Sequence, residues 1–300
     1  MTNRCGARCL ACCEESGPDK AWNDELTQAE ALVVARQVAD SGIPYVAFGG
    51  GEPLQSPHCW PIFDLLADAG VEIKLETDGS RIDDAAADRL AALKVQCIKI
   101  SVDGATAAIH ERVRPGGSFA SATAAIARLV DRGLQPQLVF TPTRINIQEV
   151  VAAYDLAAAL GCSVFVTGPL MRIGRAAANW DKLGCNEEVW RSAVDALTKH
   201  VDARAAGVAL SVYPWDILTE MRKRLESPQA MLLMVPNGKV KLLNALPFAP
   251  ADLRRDSLDQ AWPAYRLAWR SAEVREFVLA CQTNPKLLSH ANETWPMRGH

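Results

Sequence analysis

Apolar and polar positions along the chain follow two alternating rhythms. In 26–41, LTQAEALVVARQVADS, apolar residues recur every three to four positions, the spacing of one helix face. In 45–53, YVAFGGGEP, an unbroken apolar run ends in glycines, as a buried strand does before a turn. The beat then repeats, with helix-like IFDLLADAG at 62–70 ahead of strand-like VEIKLETDG at 71–79. Further helices are expected at 82–93, 119–133, 147–161 and 187–206, and further strands at 97–102, 137–141 and 163–167. This βα series argues for an α/β fold, with parallel strands covered by helices as a barrel or an open sheet.

In either architecture the chemistry gathers at the carboxyl ends of the strands. The polar and glycine-rich clusters of this chain fall there, at 49–53, 76–79, 101–104, 141–143 and 167–175. Past 206 the beat fades. VALSVYP at 208–214 reads as one more strand, and MLLMVPNGKVKLL at 231–243 sets Asn237-Gly238 between two apolar arms, as a β-hairpin does. The expected division is a core over 1–207 and a small α+β region over 208–300.

With 300 residues, 49% of them hydrophobic, and a net charge of -3, the chain has the composition of a globular protein. Neither nucleic acid nor a membrane surface is favoured as a partner, because no basic run marks one and no apolar stretch approaches the ~20 residues of a bilayer span. We read the protein as cytoplasmic, where thiols stay reduced and structural disulfides are rare. The cysteines of CGARCLACC, at 5–13, then need another account.

Cys5-x3-Cys9-x2-Cys12 offers three thiolates on one loop, enough for three irons of a [4Fe–4S] cube whose fourth iron takes a ligand from elsewhere. Zinc would need a fourth ligand, for which Cys13 is awkwardly adjacent and no nearby His is at hand. A Cys9–Cys12 redox pair leaves Cys5 unused. The spacing alone leaves all three open. Cys59, Cys97 and Cys162 lie within helix or strand patterns and read as small buried hydrophobes, while His58 and His110 lack partners at metal spacing.

Five segments in this order carry a resemblance: TNRCGARCLAC (2–12), GGGEPL (49–54), ETDGS (76–80), ISVDGATAAIHERVRPGGSF (100–119) and GPLMRIGRA (168–176). The sequence resembles the radical S-adenosylmethionine (SAM) enzymes, in the branch of coenzyme PQQ synthesis protein E and the SPASM-type maturases. The resemblance implies a partial (β/α)6 TIM-type barrel in which Cys5, Cys9 and Cys12 hold one [4Fe–4S] cluster. SAM would chelate the fourth iron through its amino and carboxylate groups and, on reduction, yield a 5'-deoxyadenosyl radical. Gly50 and Gly51 would let the backbone approach the methionyl end, and Glu52 would accept from its ammonium. Ser101 and Asp103 would serve the ribose hydroxyls or the sulfonium region, and Arg114 the carboxylate. Each assignment has a plainer counterpart: a strand-to-helix turn, a helix cap and a solvated helix-end arginine.

The chain departs from the family pattern in three places. Only four residues precede Cys5 where the family has a full strand, so the first strand is expected to be truncated or missing, with the true start upstream. Ala11 stands where an aromatic residue is usual. The tail segments LLMVPNGKVKLLNALPF (232–248) and DSLDQAW (256–262) resemble the SPASM hairpin and the helix after it, yet lack the cysteines of auxiliary clusters.

A single cluster implies hydrogen abstraction from a ribosomal precursor peptide or a small biosynthetic intermediate. The implied partners are a reductant such as flavodoxin or ferredoxin and, for a peptide, a separate recognition protein. Two other classes stand beside this one: an iron–sulfur electron carrier or scaffold, which has no use for Glu52 or Ser101, and a zinc-stabilised binding module.

Overall fold

Six parallel strands make the central sheet in sequence order: β1 (Tyr45–Phe48), β2 (Glu72–Thr77), β3 (Cys97–Ser101), β4 (Gln137–Phe140), β5 (Val164–Thr167) and β6 (Ala209–Val212). The computed structural model describes residues 1–204 and 207–297 of the 300. Helices connect the strands: α1 (Gln28–Asp40) precedes β1, and α2 (Cys59–Asp68), α3 (Asp84–Ala92), α4 (Ala107–Val113), α5 (Phe119–Asp131) and α6 (Val150–Ala159) follow in turn. Neighbours in sequence are neighbours in the sheet, the arrangement a right-handed βα series gives, and the result is a partial barrel.

The pleat sorts residues between two environments. Ile98, Ile100, Leu138, Phe140 and Phe165 are buried on the helix-covered face, where Phe140 stacks on Phe165 and Tyr154 of α6 meets Phe165 edge-on. Over β2 and β3 the inner face is polar. There Glu76 lies beside Lys99 in the register and pairs with it at 2.9 Å, and Lys74 sits over the Tyr45 ring.

Local chemistry shifts several boundaries. β1 stops at Phe48 instead of running to 53, because Gly50 takes φ 102° and Pro53–Gln55 turns into a 3-10 helix capped by Glu52. Helix α4 occupies part of the stretch between the expected strand at 97–102 and the expected helix at 119–133. The sheet takes its sixth strand from beyond residue 207, so the parallel array borrows from the segment assigned to the tail. The outer edge of β1 has no strand partner among the described residues. The chain start instead runs past its end, with Gly51 N donating to Thr2 O at 3.0 Å and Glu52 N to Arg4 O at 2.8 Å.

After β5 come α7 (Gly174–Ala178), α8 (Trp180–Leu183) and α9 (Glu187–Asp202), and after β6 comes α10 (Ile217–Glu226). The expected hairpin is present as β7 (Leu233–Met234) and β8 (Lys239–Lys241), antiparallel, with Gly238 at φ 84° in the turn. Short strands β9 (Phe248–Ala249) and β10 (Ala251–Asp252), helices α11 (Leu258–Ala268) and α12 (Ala272–Thr283), and β11 (Trp295–Pro296) complete the α+β tail. Ser257 and Gln260 close a capping box on α11. No described helix is long and apolar enough to cross a membrane.

Candidate cluster and cofactor site

The cysteine loop has almost no regular structure of its own, so its shape comes from what grips it. Cys5 N donates to Gly17 O at 3.0 Å, Arg8 N to Pro115 O at 2.7 Å and Leu10 N to Val113 O at 2.9 Å, which ties the loop to the end of α4. On the far side Arg175 of α7 donates its backbone N to Cys12 O at 3.0 Å, its Nε to Cys9 O at 2.8 Å and its terminal nitrogen to Ser16 O at 2.5 Å. Asn292 of the tail donates to Cys13 O at 2.9 Å. Two glycines make these approaches possible. A Cβ on Gly51 would lie 2.1 Å from Arg4 O, and one on Gly174, itself at φ 53°, would lie 2.2 Å from Cys13 O.

Cys5, Cys9 and Cys12 are all half-buried on this loop. Burial pushes the Cys5 thiol up to about 12, with Asp78 and Cys9 adding to the shift. Burial also raises Cys9, and the Arg114 guanidinium, 3.7 Å from its sulfur, pulls it back down. Among the described residues no three His, Cys, Asp or Glu side chains close to the distances of a single ion. A cube makes no such demand, since each thiolate takes its own iron corner, so the three spaced thiols fit a [4Fe–4S] cluster. Metal binding generally drives the deprotonation of thiols that ligate it.

Three carboxylates stand over the loop. Glu52 is 1% exposed and accepts from Leu54 N at 3.1 Å, from Thr77 Oγ1 at 2.8 Å and from Asp78 N at 3.0 Å. Burial first, and Asp78 second, push its pKa up to about 8. Asp103 is equally buried and pairs with Arg114 Nε at 2.6 Å while accepting from Thr141 N at 2.7 Å. Its carboxylate therefore caps no helix, and Thr106 stands at the start of α4. Arg114 is no solvated helix-end residue, with 14% of its side chain exposed; burial opposes its charge, but Asp103 and Cys9 outweigh it and hold the proton. Asp78 places Oδ2 3.9 Å from Cys5 Sγ and gives Oδ1 to Ser80 N at 2.8 Å. Ser101 ends β3 half-buried on the inner face, and Gly50 faces Thr2 O.

Residues 1–172 match the sequence profile of the radical SAM superfamily. The chain belongs to that superfamily. Among curated relatives, mycofactocin maturase MftC of Mycobacterium ulcerans is 33% identical over 184 residues, covering 61% of this chain and 49% of the relative. An AdoMet-dependent heme synthase of Methanosarcina barkeri is 30% identical over 176 residues, covering 58% of this chain and 50% of the relative. The chain thus spans about half the length of these relatives. Among solved structures, Streptococcus suis SuiB bound to S-adenosylmethionine superposes with a TM-score of 0.75 at 12% identity, covering 98% of this chain and 74% of SuiB. That likeness establishes the fold, tail included.

The superfamily motifs account for the barrel side of the loop and leave its other side unexplained. Arg175 lies inside the GPLMRIGRA segment, yet nothing in its pattern says that it reaches back to Cys9 and Ser16. Asn292 and Lys241 carry no signal at all. Lys241 is 2% exposed, and its Nζ donates to Asn244 O at 3.3 Å and to Ala291 O. His110, unremarkable in sequence, accepts from Asp103 N through Nδ1 at 3.2 Å and so helps seat the Asp103–Arg114 pair.

Proposed function

We propose that this chain is a radical SAM enzyme that takes hydrogen from a carbon of a ribosomally made peptide. Cys5, Cys9 and Cys12 would hold one [4Fe–4S] cluster, and SAM would sit over it at the carboxyl ends of β1 to β3, next to Gly50, Gly51, Ser101 and Arg114. The observation that carries the reading is the convergence on one three-thiol loop of the GGE backbone, of Asp78 and of the Asp103–Arg114 pair. When bound, the cluster would supply one-electron reduction of SAM, and with it the radical chemistry that takes hydrogen from a carbon.

The chain's own residues do the rest. Gly51, with no side chain, lets Thr2–Arg4 and the following turn close against each other. Arg114, held charged by Asp103, keeps a cation beside Cys9 and would offset the negative charge of three thiolates or attract the carboxylate of SAM. A small reductase such as flavodoxin or ferredoxin would deliver the electron, and a separate protein would present the peptide.

The mycofactocin maturases among the relatives support a peptide substrate. The heme synthases support a second reading, a small biosynthetic intermediate. Anaerobic reconstitution should give about four irons per chain, since one cube is the capacity of three clustered thiolates plus SAM. Dithionite reduction with SAM should then release 5'-deoxyadenosine. A protein that holds the cluster but never forms 5'-deoxyadenosine is an electron carrier instead.

A further inference from the structure

Past the last rung of a parallel ladder, backbone N–H and C=O groups need other partners. After β3 that rung is Val102 N to Val139 O, at 2.9 Å, and Asp103 is the first residue beyond it. Two buried side chains take over there. Asp103 N donates to His110 Nδ1 at 3.2 Å, and Asp103 O accepts from Asn146 Nδ2 at 3.0 Å. The second hydrogen of that Asn146 nitrogen goes to Thr141 O at 3.0 Å, so one amide bridges the ends of β3 and β4. Its Oδ1 accepts from Thr143 N at 2.6 Å and from the Thr143 hydroxyl at 2.8 Å. Both hydrogens and both lone pairs of Asn146 are thus in use, in a residue that is fully buried.

This grip is aimed at one ion pair. With its main chain held on both sides, Asp103 turns Oδ1 to Thr141 N at 2.7 Å and Oδ2 to Arg114 Nε at 2.6 Å. His110 holds the other partner as well, because its carbonyl accepts from Arg114 N at 2.9 Å. Gly104 lets the helix come this close, since a Cβ there would lie 2.6 Å from His110 N. Burial first, and Arg114 second, lower the pKa of His110, which favours the neutral ring that can accept through Nδ1. Arg114 then carries its guanidinium to 3.7 Å from Cys9 Sγ. We propose, building on the cluster reading above, that Asn146 and His110 are positioning residues: by gripping the two peptide groups of Asp103, they set where the Arg114 charge stands against the cluster and so tune its reduction potential.

The test reads the midpoint potential of the reconstituted cluster, without SAM, by anaerobic redox titration followed by electron paramagnetic resonance. A cation beside a ligand sulfur favours the reduced and more negative cluster, so Arg114→Gln should lower the potential. Asn146→Ala should lower it in the same sense by a smaller amount. His110→Phe should do likewise, because it keeps a ring to pack on Phe119 but removes the acceptor for Asp103 N. Placing Asn146→Ala beside Arg114→Gln should lower the potential no further, since the charge that Asn146 places is gone. Thermal midpoints, by contrast, should fall for Asn146→Ala in both backgrounds, as the two strand ends lose their bridge.

Wild-type potentials in Asn146→Ala and His110→Phe at lowered thermal midpoints overturn the proposal and make both residues supports of the fold. A shift from Asn146→Ala that persists undiminished beside Arg114→Gln also overturns it, because the effect then passes through something other than Arg114. Should Asn146→Ala take up no iron, the pairing of His110→Phe with Arg114→Gln decides by the same rule. An unchanged potential in Arg114→Gln overturns the proposal and leaves the cluster reading standing. Wild-type protein that takes up no iron overturns both at once.

Discussion

The two flanks of the cysteine loop are built on different chemistry. On the barrel flank backbone ties to the end of α4 are joined by charged side chains: Asp78 beside Cys5, and Arg114 beside Cys9 with Asp103 behind it. On the opposite flank, called here the tail flank for Asn292, they are carbonyls answered by N–H groups, from Arg175 of α7 to Cys9, Cys12 and Ser16 and from Asn292 of the tail to Cys13. Charges feel whatever ion or cofactor arrives, whereas backbone hydrogen bonds only fix where the chain lies. The barrel flank should therefore govern what binds at the loop, and the tail flank should govern whether the loop keeps its shape.

The largest expected effect sits between the flanks. Cys5→Ala, Cys9→Ala and Cys12→Ala should each take iron from about four per chain to nearly none, because a cube with two protein thiolates is poorly held. Cys13→Ala should retain its iron, since the Cys13 thiol meets Glu14 and its carbonyl is held by Asn292. Iron analysis after anaerobic reconstitution decides it. Retention in Cys5→Ala with loss in Cys13→Ala would shift the ligand set by one residue and blur the two flanks.

A smaller effect separates the flanks directly. Arg175→Ala orphans the Ser16 carbonyl and leaves Cys9 O with only the longer bond from Cys12 N at 3.3 Å, and an acceptor left without a donor costs about 1–3 kcal/mol. Its thermal midpoint should fall by several degrees and its cluster should be lost faster under chelator, while the molecules that keep a cluster bind SAM with wild-type affinity. Arg175→Lys, with no fork to span two carbonyls, should recover only part of the loss. Reduced SAM affinity at unchanged stability would mean that the tail flank also reads the cofactor.

The same division decides what could be read from the sequence. The barrel flank was legible because its residues are local to strand ends, where a βα rhythm puts chemistry, and because the three cysteines lie within one short run. The βα order, the Asn237-Gly238 hairpin and the helix after Ser257 were legible from local patterns for the same reason. What was hidden depends on contacts between distant positions. Glu52 reads as an acceptor for the methionyl ammonium in GGGEPL, and nothing in that motif says that the Thr77 hydroxyl and Asp78 N also donate to it. Arg114 reads as a partner of the SAM carboxylate or as a solvated helix-end residue, and no local pattern shows that Asp103 and Cys9 close round it. Asn292 lies 279 positions from Cys13, and no spacing rule spans that distance.

The smallest expected effect tests whether the tail flank contains any charge that matters. Lys241 is buried, and burial drives its pKa down to about 8, against weaker upward pulls from Glu14 and Cys13 on the cysteine loop. An unfolded lysine titrates near 10.4, so between pH ~8 and ~10.4 the unfolded chain binds more protons than the folded one. Stability from this group therefore rises with pH across that window and is lowest, and flat, below it. Glu14 and Cys13, whose pKa values burial pushes up, act in the opposite direction, but both are present in wild type and in Lys241→Met, so they largely cancel in the difference. Near neutral pH, Lys241→Met trades the cost of a buried ammonium against two carbonyls, of Asn244 and Ala291, left without their donor. Those terms are similar in size, and the net change should stay within about 1 kcal/mol. The decisive reading is the slope. Thermal midpoints taken anaerobically from pH 7 to 10 should show wild type gaining on Lys241→Met above pH 8; a constant difference would mean that Lys241 keeps its charge throughout and that the tail touches the cysteine loop electrostatically after all.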